Sequence, residues 1–179
     1  VILSVCYKWK IIREHFGNEF ENIEIVYSIE EEPLGTGGGI KKALRQLRFN
    51  QVYVINGDTF FDIDLKFLTL EDNSKLTICL KPMTEIYRYA CVESDTNNFV
   101  TGFSNKIFRG RGNINGGVYL MSNKIFYKLK TGKIFSFEEF IRLYFKELKA
   151  SVKVFDNYFI DIGIPEDYQK AKKELKYYL

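Results

Sequence analysis

Gln51-Val52-Tyr53-Val54-Ile55-Asn56-Gly57-Asp58-Thr59 decides how the rest of the chain reads. It is a nearly continuous apolar run rich in β-branched residues that stops at a glycine and an acid. A run this short without alternation is the pattern of a parallel strand buried on both faces. Upstream, Ile23-Glu24-Ile25-Val26-Tyr27-Ser28 reads as another strand, followed by a loop from Pro33 to Gly39 and a helix carrying Ile40, Ala43, Leu44 and Leu47. Earlier still, Val1 to Val5 is a short apolar strand, and Tyr7 to Phe20 repeats Trp9, Ile12 and Phe16 at a helical period.

Strands alternating with helices over these first 60 or so residues predict right-handed crossovers and a Rossmann-like, mostly parallel sheet. After Asp64 the strands shorten to Leu76–Lys81, Tyr89–Ser94 and Val118–Met121, which predicts antiparallel additions. A helix is expected from Phe137 to Leu148 with Ser136 as its cap, then a strand from Val152 to Phe155 and a closing helix near Pro165. The expected class is α/β, as a single domain over residues 1–179. Val1-Ile2-Leu3-Ser4-Val5 lacks a Met and reads as the middle of a buried strand. A strand-helix segment of roughly 30 or more residues is therefore expected ahead of it, and the chain by itself is expected to be inactive.

Hydrophobic residues make up 46% of the 179 and charged residues 27%, so the composition is that of a folded domain rather than a disordered one. A net charge of +3, with acids and bases interleaved, gives no footing for nucleic-acid or membrane-surface binding. Cys6, Cys79 and Cys91 sit singly in apolar runs with no metal-ligand spacing, as small hydrophobes do in a reducing compartment. No apolar run reaches the roughly 18 residues of a membrane span. A cytoplasmic protein is expected, with self-association left open.

Four stretches could carry chemistry. Glu30-Glu31-Glu32-Pro33-Leu34-Gly35-Thr36-Gly37-Gly38-Gly39 places four glycines between a strand and a helix, which serves equally as a ligand cradle or as structural punctuation. It has neither the ending of a P-loop nor the dinucleotide fingerprint. Asn56-Gly57-Asp58 delivers a carboxylate at a strand's carboxyl end, where α/β sheets bind ligands and where Mg²⁺ takes one or two acids plus phosphate oxygens. Asn113-Ile114-Asn115-Gly116-Gly117-Val118-Tyr119 reads locally as a hairpin turn, or as a place where Asn115 meets sugar hydroxyls. Asp161, in Phe159-Ile160-Asp161-Ile162-Gly163-Ile164-Pro165, is a lone acid among apolar residues and suggests a second metal ligand beside Asp58. His15, the only histidine, lies on the polar side of the first helix, so no Ser-His or Cys-His nucleophile is available.

In this order, E-x-x-P-L-G-T-G-G, N-G-D, N-G-G-V-Y and D-I-G-x-P-E-D-Y resemble the sugar-1-phosphate nucleotidylyltransferase family. Asn56-Gly57-Asp58-Thr59-Phe60-Phe61-Asp62-Ile63-Asp64 and the ending look most like its bacterial D-glycero-D-manno-heptose 1-phosphate guanylyltransferases. The resemblance implies a three-layer α/β/α nucleotidyltransferase fold. It also implies transfer of a nucleotidyl group, from GTP, to a heptose or hexose 1-phosphate, with pyrophosphate released, for cell-surface polysaccharide synthesis. Position by position it implies that Glu32, Pro33, Leu34, Gly35, Thr36 and Gly37 line the base and sugar, and that Asn56 and Gly57 bind substrate beside the metal carboxylate. Asp58 and Asp161 would hold Mg²⁺, Asn115 and Gly116 would touch the sugar, and Lys106 would reach the sugar phosphate. Asn105 stands where the family usually has an acid, and Tyr89-Ala90 replaces its usual Tyr-Gly. The family's G-G-x-G-T-R-L segment and later Lys-Pro are not among these residues. Two other classes remain: a metal-dependent glycosyltransferase using Asp62 and Asp64, and a non-catalytic nucleotide-sugar binding fragment.

Overall fold

The computed structural model of the protein describes residues 1–86, 90–104 and 108–178. In chain order its elements are β1 (Ile2–Val5), α1 (Trp9–Phe16), β2 (Glu19–Phe20), β3 (Ile23–Glu24), β4 (Val26–Ile29), α2 (Gly35–Ala43), β5 (Gln51–Ile55) and β6 (Thr59–Phe61). There follow β7 (Leu76–Ile86), β8 (Cys91–Ser94), β9 (Val100–Ser104), β10 (Phe108–Ser122), α3 (Phe137–Tyr144), β11 (Ser151–Val154), β12 (Phe159–Asp161) and α4 (Pro165–Glu174). These elements group into two compact units, Val1–Asn50 with Phe126–Tyr144 and Gln51–Ile125 with Phe145–Leu179.

In the first unit β1 and β4 pair in parallel, from Ile2 opposite Val26 to Val5 opposite Ile29. Helix α1 is shorter than its periodicity suggests, because Gly17 takes φ 65° and returns its N–H to the Arg13 carbonyl at 2.8 Å. Helix α2 starts at Gly35 rather than after Gly39, so the glycine run is helical and not a loop. Helix α3 begins where expected. Ser136 Oγ accepts from the Glu139 N–H at 3.2 Å, and Thr36 Oγ1 accepts from the Phe137 N–H at 2.8 Å. It ends at Tyr144, short of the Leu148 that periodicity alone suggested.

The second unit is a mixed sheet in the order β11-β7-β10-β8-β9, with β5 also on β10. Strand β11 runs parallel to β7, whereas the β10 pairings with β5, β7 and β8 are antiparallel. The α/β class is as expected, but the apolar run at β5 did not mean a parallel strand covered on both faces. Its residues alternate in exposure, with Tyr53 at 46% and Ile55 at 54%. Apolar content records what a strand can bury, and says nothing of strand direction or of how many faces are covered. The core is carried instead by β7 and β10, whose Leu76, Ile78, Cys79, Leu80, Ile114, Tyr119 and Met121 are fully buried. The Leu, Ile and Met side chains among them each contribute about 1.5–3 kcal/mol of transfer free energy.

The short strands β6 and β12 form an antiparallel ribbon, with Phe61 opposite Phe159 and Thr59 opposite Asp161. Phe61 anchors it, meeting the Phe155 and Phe159 rings edge-on at 6.2 and 5.4 Å. Tyr158 Oη donates to Glu174 Oε2 at 2.6 Å and so ties α4 to the ribbon. Burial, then the Glu174 bond and charge, raise the Tyr158 phenol above its ordinary range. Among the described residues no helix is long and apolar enough to cross a membrane.

Cys79 and Cys91 are buried as expected, but Cys6 is only half-buried. Desolvation pushes the Cys79 thiol up to about 12, and burial followed by the Glu93 charge raises Cys91. Iodoacetamide at mildly alkaline pH should therefore give one adduct on the native protein, at Cys6, and three after denaturation. Intact-mass spectrometry reads the difference, and native labelling of Cys79 would contradict the assigned core.

Candidate functional site

The second unit brings six of the sequence-predicted residues, Asn56, Gly57, Asp58, Asn115, Gly116 and Asp161, into one corner. β5 ends at Ile55, and the Asn56 N–H bonds the Gly117 carbonyl at 2.8 Å. The chain then turns through Gly57 and Asp58 into β6. Across the ribbon, the Ile162 N–H bonds the Asp58 carbonyl at 2.9 Å, just beyond the Thr59–Asp161 pair. The two acids named from separate motifs thus sit at the same end of one two-stranded ribbon. Asp58 is exposed, and its carboxylate accepts no hydrogen bond among the described residues. Asp161 Oδ1 accepts from the Gly163 N–H at 2.7 Å, which fixes its rotamer. Among the described residues no group of three or more His, Cys, Asp or Glu gathers. A pair of carboxylates with no nitrogen or sulfur donor suits a hard cation that fills its sphere from water and phosphate oxygens.

Asn115 and Gly116 lie in the same corner, though not on a hairpin turn. They form an irregularity within the long β10: Asn115 pairs with Leu80 and Tyr119 with Ile78, so two extra residues are extruded there. Gly117 adopts φ 69° within it. A Cβ on Gly116 would fall 2.6 Å from the Phe61 ring and 3.1 Å from the Cys79 carbonyl oxygen, so only glycine lets β10 pass the ribbon. The Asn115 amide is held at both ends: Oδ1 accepts from the Gly117 N–H at 3.1 Å, and Nδ2 donates to the buried Tyr119 hydroxyl at 2.7 Å. One amide proton and one oxygen lone pair remain, the donor-acceptor couple that a sugar hydroxyl matches.

In the first unit the segment 32–37 is ordered by residues that motif reading passed over. Glu30 accepts from the Leu34 N–H at 2.8 Å and from the Ser4 hydroxyl at 3.0 Å. Lys133 forms an ion pair with Glu32, and that hydrogen bond, followed by the charge, lowers the Glu32 carboxyl below its ordinary range. Pro33 leads into the turn ahead of α2. The Thr36 hydroxyl is occupied: it donates to Glu138 at 3.1 Å and accepts from the Phe137 N–H. The glycines are explained largely by packing. Gly35 has φ 71° with the Phe135 carbonyl oxygen 2.6 Å from a notional Cβ, and a Cβ on Gly37 or Gly38 would collide with the Phe135 ring or the Lys133 carbonyl. Structural punctuation accounts for these contacts, and it extends to the backbone: the Gly37 N–H in the first turn of α2 donates to the Phe135 carbonyl at 3.0 Å, as the Leu34 N–H does to Glu30.

Lys106, Asn105 and Tyr89 lie outside the described residues. His15 is exposed on α1. Asp64 Oδ1 accepts from the Lys66 N–H at 2.9 Å and caps a 3₁₀ turn, a local role for one acid of the D-x-D.

The chain belongs to the nucleotidyl transferase family, which it matches over residues 1–177. It is 51% identical to the D-glycero-alpha-D-manno-heptose 1-phosphate guanylyltransferase of Campylobacter jejuni over 168 residues, covering 94% of this chain and 75% of that protein. The enzyme of the same name from Aneurinibacillus thermoaerophilus is 46% identical over 183 residues, covering all of this chain and 79% of that one. The crystal structure of HddC from Yersinia pseudotuberculosis complexed with GMP-PN superposes with a TM-score of 0.79 at 34% identity, over 97% of this chain and 77% of that one.

Two glycines separate packing from conformational freedom. Gly35→Ala meets a backbone carbonyl at positive φ and should cost about 2 kcal/mol or more. Gly57 has nothing within 4 Å of a notional Cβ, so Gly57→Ala should stay within about 0.5 kcal/mol of the parent. Urea midpoints measure both, and equal shifts would contradict the packing described for α2.

Proposed function

We propose that this chain carries out guanylyl transfer from GTP to a heptose 1-phosphate, giving a GDP-heptose and pyrophosphate for cytoplasmic assembly of cell-surface polysaccharide precursors. The observation that carries this reading is the ribbon that sets Asp58 beside Asp161, one turn from the Asn115–Gly117 irregularity. A metal-binding end and a sugar-binding amide then occupy one corner. The names of the two guanylyltransferases at 51% and 46% identity support the base and the sugar.

An oxygen of the sugar 1-phosphate attacks the α-phosphorus of GTP in line, the bond to the bridging oxygen breaks, and pyrophosphate leaves. Such a transfer needs positioning and charge stabilisation more than a protein nucleophile. Asp58 and Asp161 would hold Mg²⁺, which when bound supplies positive charge to the phosphate oxygens. Gly163 keeps the Asp161 carboxylate in place through its N–H. The Asn115 amide, fixed by Gly117 and Tyr119, would orient sugar hydroxyls, with Gly116 leaving room for the ring. The segment Glu32 to Gly37 would meet the guanine edge through backbone groups at the start of α2, since the Thr36 hydroxyl is already engaged. Lys106 would carry a positive charge to the sugar phosphate.

Pyrophosphate release by the intact enzyme, screened over the four ribonucleoside triphosphates, dTTP and a panel of sugar 1-phosphates, tests the reading. GTP with a heptose 1-phosphate should give the highest kcat/KM, and a preference for dTTP or CTP would overturn the base assignment. Asp58→Asn should lower the rate by at least ~100-fold, the scale of losing a charge-stabilising element. Near-parental turnover in that variant would remove Asp58 from the site.

A further inference from the structure

The first unit contains a cavity of about 330 Å³ beside α2 whose basic wall has no part in the proposed transfer, although Glu32 and Leu34 also line it. Four cations line it, Lys41, Lys42, Arg45 and Lys133, against two acids, Glu31 and Glu32. Lys133 is matched by Glu32. The other three cations have no carboxylate partner among the described residues. The Lys41 ammonium donates to the Thr131 hydroxyl at 2.7 Å, and the half-buried Lys42 donates to the Ile29 carbonyl. Both acceptors are neutral, and each ammonium keeps two of its three protons. Lys41 and Arg45 stand four residues apart and Lys42 and Arg45 three apart, spacings at which like charges repel along a helix. Placement in the last turn of α2 favours cations there, but it does not require three of them around one cavity.

We propose that this cavity binds a phosphate dianion through Lys41, Lys42 and Arg45, either as free phosphate or as the phosphate group of a small monoester. The charges agree, since four cations and two acids leave the wall at +2 and a phosphate monoester carries close to −2 at neutral pH. The size agrees too, because 330 Å³ falls at the lower end of small-ligand sites. Two tethered ammonium groups and a guanidinium supply fixed donors, with the guanidinium able to bond two oxygens at once. The proposal does not depend on the guanylyltransferase reading, although Glu32 and Leu34 belong to both regions and link an occupied cavity to the order of the 32–37 segment.

The test is amide NMR on the full 179-residue chain in EDTA, which silences any metal-dependent site. Inorganic phosphate is titrated in one arm and glucose 1-phosphate in the other. Saturable shifts at the Lys41, Thr131 and Gly132 amides are expected in at least one arm, and comparing the arms distinguishes free phosphate from monoester. Lys41→Gln and Arg45→Gln should each weaken the response about tenfold, the scale of one charged hydrogen bond, while Asp58→Asn leaves it unchanged. Dispersion of each variant's spectrum reports its fold. Arg45, being exposed, provides a variant with little structural risk. Absence of saturable shifts at these amides in both arms overturns the proposal, as do shifts that survive both substitutions: the cations then serve only the end of α2.

Discussion

One backbone hydrogen bond, from the Ile162 N–H to the Asp58 carbonyl, holds together two acids that stand more than 100 residues apart in sequence. The three-residue strands it adjoins are too short to be stable alone, so the ribbon depends on what packs behind it. Phe61 and Phe159 supply that packing, and Phe61 in turn fits only because β10 has a glycine where the ring sits. The two residues extruded from β10, the shape of Gly116 and the position of Asp58 are therefore one constraint expressed three times. The energy that holds the ribbon in place comes from the aromatic anchor and the β7–β10 core beneath.

The glycine-rich stretch shows how a motif can be right in place and misleading in kind. Its glycines sit inside α2, where they let the helix lie against the Phe135 backbone and ring, the Lys133 carbonyl and Ser4. Those contacts take one donor from the first turn, the Gly37 N–H that bonds the Phe135 carbonyl, and hold the start of the helix in a fixed direction. They do mean that a substitution at Gly35 or Gly38 reports on packing before it reports on binding.

Much of this was legible in the sequence, for reasons that can be stated. Asp58 and Asp161 could be read because acids following apolar runs are rare without a purpose, and the ribbon pairs their motifs. The α/β class followed from alternating strand and helix signals. The direction of β5 could not be read, since an apolar run does not encode its partner, and β10 pairs with it in the antiparallel sense. Asn115 resembled a turn because paired glycines punctuate turns and strand irregularities alike, and only the register of β10 against β7 separates the two. Glu30 and Lys133 gave no signal at all, one being the first of three adjacent acids and the other a lysine in a loop. Their roles exist only through contacts distant in sequence.

The central claim is that Asp58 and Asp161 form one divalent-cation site. Paramagnetic broadening by Mn²⁺, a hard oxygen-seeking stand-in for Mg²⁺, tests it through amide NMR on the isotope-labelled protein with GDP present. The account predicts that the amides of Asp58, Thr59, Ile162 and Gly163 broaden together at low Mn²⁺, and that Asp58→Asn and Asp161→Asn each abolish the effect at all four. Broadening centred on Asp62 and Asp64, or on one motif without the other, would contradict it.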